Sequence, residues 1–132
     1  MLISAALMCL SLNVYHEARG ESLEGQFAVA NVTMNRAKTE DNVCKTVYAP
    51  NQFSWTTHKT REGKPSIHEP KAWKIAQRVA YLVMRGGFWD VTNGATMYHA
   101  TYTSPHLDGR WRKNRIRRVT MIGNHIFYVQ TG

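Results

Sequence analysis

Apolar residues at Ile3, Leu7, Leu10 and Val14 recur at the spacing of one helical face and predict a first helix over about residues 2 to 18, ended by Gly20 as a C-cap. Continuing that face lands on Glu17. Ser22 suits the N-cap of a second helix, with Glu24 in its acidic first turn, running to about Lys38 through Phe27, Ala30, Met34 and Ala37. Because Ala28, Val29 and Val32 make its other sides apolar as well, this helix belongs in the centre of a domain. The first helix is its neighbour across a short turn, which forms an αα-hairpin with Glu17 at the bend. From residue 39 to 69 the breakers Asp41-Asn42, Pro50-Asn51, Glu62-Gly63 and Pro65 leave loop, with at most a short helical turn near Thr46 to Tyr48. A third helix opens after Pro70, runs to about Arg85 with Trp73, Ala76, Ala80 and Met84 on one face, and stops at Gly86-Gly87. The period then changes to that of strands over Ala95 to Tyr102, Ile116 to Ile122 and His125 to Gln130, the last two joined by a Gly123-Asn124 hairpin turn. The predicted fold is α+β: mostly helical, with a small antiparallel sheet at its C-terminal end.

At 132 residues with 43% hydrophobic side chains, the chain is sized for one domain with its own core, and no repeat or low-complexity tract points to a solenoid or to disorder. Its 17 Lys and Arg against 9 Asp and Glu give a net charge of +8, which predicts an anionic partner such as cell envelope, acidic polymer or nucleic acid. The uncharged opening MLISAALMCLSLNVY lacks a leading cation and a small-residue cleavage site, and Ser4, Ser11 and Asn13 interrupt it, so neither a secretory signal nor a membrane anchor is expected. Cys9 and Cys44 match no zinc or redox spacing, and the expectation is two buried thiols rather than a bridge.

Glu17 is the leading catalytic candidate. An apolar face desolvates its carboxyl, and the negative end of the helix dipole raises the cost of ionising it, so both effects favour a proton-bearing general acid. His16 and Arg19 oppose this if they lie close, and pairing with Arg19 would make Glu17 merely structural. The obvious second carboxylate is Glu21, but Gly20 between them removes any assurance that the two share a face. A mechanism with one carboxylate, in which the substrate supplies the nucleophile, fits at least as well as double displacement.

The stretch VYHEARGESLEGQFAVANVTMNR at residues 14 to 36, followed by Val43-Cys44, Val47-Tyr48, Gln52-Phe53-Ser54 and the ending Ile122-Gly123-Asn124-His125-Ile126-Phe127-Tyr128, resembles the SleB/CwlJ-type cell wall hydrolases, the spore-cortex lytic enzymes. That resemblance covers nearly the whole chain. It implies a lysozyme-like fold, peptidoglycan as substrate, and Glu17 as catalytic acid. Cleavage of the β-1,4 bond between N-acetylmuramic acid and N-acetylglucosamine would then leave a 1,6-anhydro end, with hydrolysis through Glu21 or a positioned water as the alternative. The segment from Gly94 to Ala100 resembles the cleft-lining strand of the family, which makes Tyr98 and His99 candidate site residues, Tyr98 as a donor to sugar or to Glu17.

Gln52 and Ser54 are candidates for hydrogen bonds to N-acetyl groups, Phe53 for an anchor of their loop, and Trp55 and Trp111 for stacking on sugars or for packing. Asn31 and Asn35, one turn apart, either reach the cleft or satisfy buried backbone. No HExxH or other ligand spacing occurs among the six histidines, so neither a metal nor another cofactor is expected. The run Arg110-Trp111-Arg112-Lys113-Asn114-Arg115-Ile116-Arg117-Arg118 fits either a solvated edge strand or a grip on anionic envelope polymers or lipids through Arg112, Lys113, Arg115, Arg117 and Arg118. A nucleic-acid module is the alternative from another class, disfavoured because no helix-turn-helix or zinc-finger spacing accompanies the cluster. The combined expectation is a monomeric, stand-alone catalytic domain of the phage endolysin type, made in a bacterial cytoplasm and acting at the wall.

Overall fold

The computed structural model describes residues 3–50, 52–57, 66–86, 89–103 and 115–131. Four helices, α1 (Ala5–Ala18), α2 (Leu23–Ala37), α3 (Val43–Val47) and α4 (Pro70–Met84), precede three strands, β1 (Met97–Ala100), β2 (Ile116–Ile122) and β3 (His125–Gln130). The expected α+β class holds. Ser22 caps α2 as read, its Oγ accepting from Gly25 N at 3.2 Å; Ser4, read only as an interruption of the apolar opening, caps α1 in the same way, its Oγ accepting from Leu7 N at 3.1 Å, and each satisfies an amide the first helical turn leaves open. Pro70 opens α4, where its missing N–H costs nothing. Among the described residues no helix is long and apolar enough to cross a membrane.

The helices pack around Leu10, Val14, Tyr15, Phe27, Val43, Val47 and Val79, all buried, with α1 lying against α2, α3 and α4. Sheet and helices meet at a second apolar cluster, where Ala28 and Val32 of α2 face Ala95, Ile122 and Phe127. Removing a side chain the size of Phe127 from water contributes roughly 1.5–3 kcal/mol, so this small cluster suffices to dock the sheet on α2. A chain of buried hydrogen bonds fixes the helices laterally. Trp55 Nε1 donates to Asn13 Oδ1 at 2.8 Å, Asn13 Nδ2 donates to Thr33 Oγ1 at 3.1 Å, and the Thr33 hydroxyl donates to Val29 O at 2.9 Å.

The sheet is antiparallel in the order β1-β3-β2, with Tyr98 opposite Phe127 and Ile122 opposite His125. The Gly123-Asn124 turn joins β2 and β3 as expected, and a register shift between Arg118 and Thr120 lets Val119 pack against the α2–sheet cluster.

Several expectations need correction. α1 starts at Ala5 and its C-cap is Arg19, not Gly20: Arg19 N still donates to Tyr15 O at 3.2 Å, and the chain then tightens into a turn in which Glu21 N donates to Ala18 O at 2.9 Å. β1 is shorter than the run of β-forming residues around it, since the chain turns at Thr101, whose N donates to Asn124 O at 2.8 Å. In the segment taken as loop, a 3-10 turn (Glu40–Asn42) leads into α3 and another covers Ser54–Thr57. Finally, Cys9 and Cys44 are joined in a disulfide, with Cα atoms 5.3 Å apart. They lie on α1 and α3, which pack side by side, a relation that linear spacing does not encode.

Candidate active site

Glu17 sits in the last turn of α1, half-buried, and its Oε1 accepts a hydrogen bond from the Tyr98 hydroxyl of β1. The sheet supplies this donor by strand alternation: Tyr98 faces inward with Phe127 beside it (ring centroids 5.6 Å apart) and His125 edge-on at 4.9 Å. Burial pushes the Glu17 carboxyl above its ordinary value, and the Tyr98 bond, which favours the ionised form, opposes only part of that rise. Tyr98 itself is pushed well above the usual phenol range by burial and by the charge and hydrogen bond of Glu17, so it remains a donor; Arg36 pulls weakly the other way.

Arg19 is not the partner of Glu17. Its Nε pairs with Glu69, and its guanidinium lies 4.9 Å above the Tyr15 ring, whose hydroxyl in turn accepts from His68 N and Glu69 N, both at 2.9 Å. The other neighbour, His16, stacks on Trp55 with ring centroids 4.6 Å apart, and burial, then Arg19 and His68, hold it below the ordinary histidine value. A neutral imidazole does not stabilise a carboxylate by charge. The local features that would have kept Glu17 ionised are thus directed elsewhere.

Glu21 has a different environment. Its Oε1 accepts from Asn124 N at 2.9 Å and its Oε2 from Asn124 Nδ2 at 3.1 Å, while His125 Nδ1 stands 3.7 Å away. Both oxygens hold the β2–β3 turn. Two glycines give this side chain its room: a Cβ at Gly123, which has φ +56°, would stand 2.7 Å from Oε1, and one at Gly25 would stand 2.9 Å from the Glu21 Cβ. The hairpin so fixed carries Phe127 and His125, which brace Tyr98. Glu21 thus holds the hairpin whose side chains pack around Tyr98, the partner of Glu17.

Asn31 and Asn35 bind backbone. Asn31 Oδ1 accepts from Val91 N at 3.2 Å and Asn35 Nδ2 donates to Ala95 O at 2.9 Å and to the Asp90 carboxylate at 2.8 Å. Burial would raise Asp90, but hydrogen bonds from the Thr92 hydroxyl, Asn35, Thr92 N and Gly94 N outweigh it and hold the group below the ordinary value. The loop that delivers β1 is therefore rigid. Asp90 was missed in the sequence, although the stretch Asp90-Val91-Thr92-Asn93-Gly94 carries the residues of an Asx turn.

Of the remaining candidates, Gln52 is half-buried and lines a groove with Arg36 and Thr96. Ser54 is exposed and opens a 3-10 turn, its carbonyl accepting from the Thr57 hydroxyl at 2.8 Å. Phe53 and Trp55 are buried, so Trp55 packs rather than stacking on a sugar. His99 points to the opposite face from Tyr98, stacked on Tyr128 and 2.8 Å from its hydroxyl. The alternation that brings Tyr98 to Glu17 directs His99 away. Arg115, Arg117 and Arg118 are exposed at the edge strand β2. Trp111, Arg112 and Lys113 lie outside the described residues.

Residues 20–128 match the sequence profile of a family described as Cell Wall Hydrolase, a match that begins three positions after Glu17. A spore cortex-lytic enzyme of Bacillus subtilis (strain 168) is 31% identical over 123 residues, 89% of this chain; the chain spans 35% of that relative's length. Two solved structures share the fold. The catalytic domain of the germination-specific lytic transglycosylase SleB from Bacillus anthracis has a TM-score of 0.69 at 26% identity, covering 95% of both chains. The catalytic domain of the Bacillus cereus SleB protein has a TM-score of 0.68 at 28% identity, covering 96% of this chain and 91% of the other. With most of its length inside the family profile and its fold shared with those catalytic domains, this chain belongs to the cell wall hydrolase family.

Proposed function

We propose that this domain cleaves the β-1,4 bond between N-acetylmuramic acid and N-acetylglucosamine in peptidoglycan as a lytic transglycosylase, with Glu17 as its catalytic residue. The observation that carries this is the pairing of a carboxyl raised by burial with the Tyr98 hydroxyl, while the nearest second carboxylate, Glu21, is committed to a structural turn. Protonated Glu17 gives its proton to the departing O4 of the glucosamine as the bond to the muramic C1 breaks and positive character grows on that ring. The resulting carboxylate then takes the proton of the same sugar's 6-hydroxyl as O6 bonds to C1. The products are a 1,6-anhydromuramic end and a free 4-hydroxyl, and no water is consumed. Tyr98 holds the carboxyl in place through both halves and stabilises the carboxylate between them.

The exposed Arg115, Arg117 and Arg118 serve as a grip on anionic envelope polymers. The Cys9–Cys44 bridge fits a protein that works outside the reducing cytoplasm, as wall cleavage requires. Lysis of a bacterial host by a phage-type enzyme is the setting that a small cationic wall-cutting domain suits.

The test is product analysis by chromatography and mass spectrometry on purified sacculi, for the unmodified protein beside Glu17→Gln. Anhydromuramic ends are expected from the former, with a loss of roughly two to four orders of magnitude in rate for the variant. Reducing muramic ends without anhydro ends would replace transglycosylation by hydrolysis, and undiminished cleavage by Glu17→Gln would remove Glu17 from the chemistry.

A further inference from the structure

Two grooves meet at Arg36 and Gln52. One, of about 440 Å³, passes Lys38 and Thr96 on its way to Gln130; the other, of about 400 Å³, passes Asn42 and Lys45. Arg36, Lys38 and Lys45 put three cations along them, and their lining includes no carboxylate. The Thr96 side chain stands in the wall of the first groove, its hydroxyl oxygen buried without a hydrogen-bond partner among the described residues. Thr96 precedes Tyr98 by two residues, roughly 6.6 Å along an extended chain, so the first groove runs to the foot of the strand that carries Tyr98.

Resting on the proposed glycan cleavage, we infer that this groove binds the acidic peptide stem carried by the muramic sugar next to the bond being cut. The glycan backbone offers little charge of its own, since the muramic lactyl carboxyl is spent in the amide to the stem. The stem supplies free carboxylates for Arg36, Lys38 and Lys45, and amides for Gln52. Arg36 is held to this task by its guanidinium lying 5.5 Å over the buried Phe53 ring. Cations near the C-terminal ends of α2 and α3 also complement the helix dipoles, and a purely structural role is the outcome the test must separate.

Soluble glycan strands carrying stems, and the same strands stripped of peptide by an amidase, are compared as substrates for the unmodified protein and for Lys38→Glu/Lys45→Glu. The unmodified protein should show a KM about tenfold lower for the peptide-bearing strands with similar kcat, and the variant should lose that preference. Equal KM values for the two substrates, or a variant whose activity falls on both in proportion with its thermal stability, would overturn the inference. Calorimetric binding of both strands to Glu17→Gln separates the two failures. Preferential binding of the peptide-bearing strands, with the unmodified protein cutting neither substrate, would sink the cleavage and keep the groove, while cleavage by the unmodified protein with no peptide preference would do the reverse.

Discussion

Replacing Glu21 decides whether it holds the hairpin or takes part in the chemistry. Its side chain is 11% exposed and accepts two hydrogen bonds, both from Asn124. A bond to a charged group contributes roughly 1.5–3 kcal/mol against roughly 0.5–1.5 for a neutral one, so in Glu21→Gln the amide oxygen keeps one bond weakened by about 1 kcal/mol, while the amide nitrogen cannot accept and the other donor turns to water. Asn124 is itself exposed, and water recovers part of each loss. The expected cost is about 1 kcal/mol for Glu21→Gln and about 2 for Glu21→Ala, which leaves the Asn124 amide without its acceptor. Against a domain stability of roughly 5–15 kcal/mol, both variants remain folded at 25 °C. Urea unfolding followed by circular dichroism reads the stability change, and initial rates on soluble glycan strands read the chemistry. If Glu21 only positions the sheet, Glu21→Gln should keep its rate within about threefold. A second catalytic carboxylate would cost roughly two to four orders of magnitude instead. A folded Glu21→Gln with a loss of that size would refute the single-carboxylate mechanism.

Two further outcomes test other parts of the structure. The Cys9–Cys44 bridge closes a sequence separation of 35, for which loop-closure entropy gives about 4 kcal/mol; reduction, or Cys9→Ala with Cys44→Ala, should lower the melting temperature by roughly 10–20 °C, and superimposable melting curves with and without reductant would contradict it. Tyr98→Phe should change the pH profile. An acid must be protonated to act, so activity falls as pH rises through the Glu17 value; the Tyr98 bond lowers that value, so removing it should move the alkaline limb to higher pH while the plateau rate drops. A limb that stayed in place or moved to lower pH would separate Tyr98 from the acid.

Much of the fold was legible because its signals are local. Ser22 ahead of α2, Pro70 at the start of α4, and the alternation and Gly123-Asn124 turn of β2 and β3 are each decided by neighbours within a few positions. Glu17 was legible for the same reason, as the end of an apolar face. What escaped are choices between partners far apart in the chain. Arg19 had Glu17 two residues away yet pairs with Glu69, and Glu21 looked like a second catalytic group yet reaches Asn124, 103 positions on. The disulfide depends on how α1 crosses α3. His99 is the exception, since assigning Tyr98 to the cleft already implied, through the two-residue period of a strand, that its neighbour faces the other way.

The acid and the hydroxyl that holds it are 81 positions apart. A chain leaving the ribosome finishes α1 and α2 long before β1 exists, and until the sheet docks on α2 the Glu17 carboxyl stands without the Tyr98 hydroxyl. Translation intermediates and products truncated before β1 thus carry Glu17 without the hydroxyl that positions it. On the proposed mechanism, cutting power arrives only once the sheet has docked.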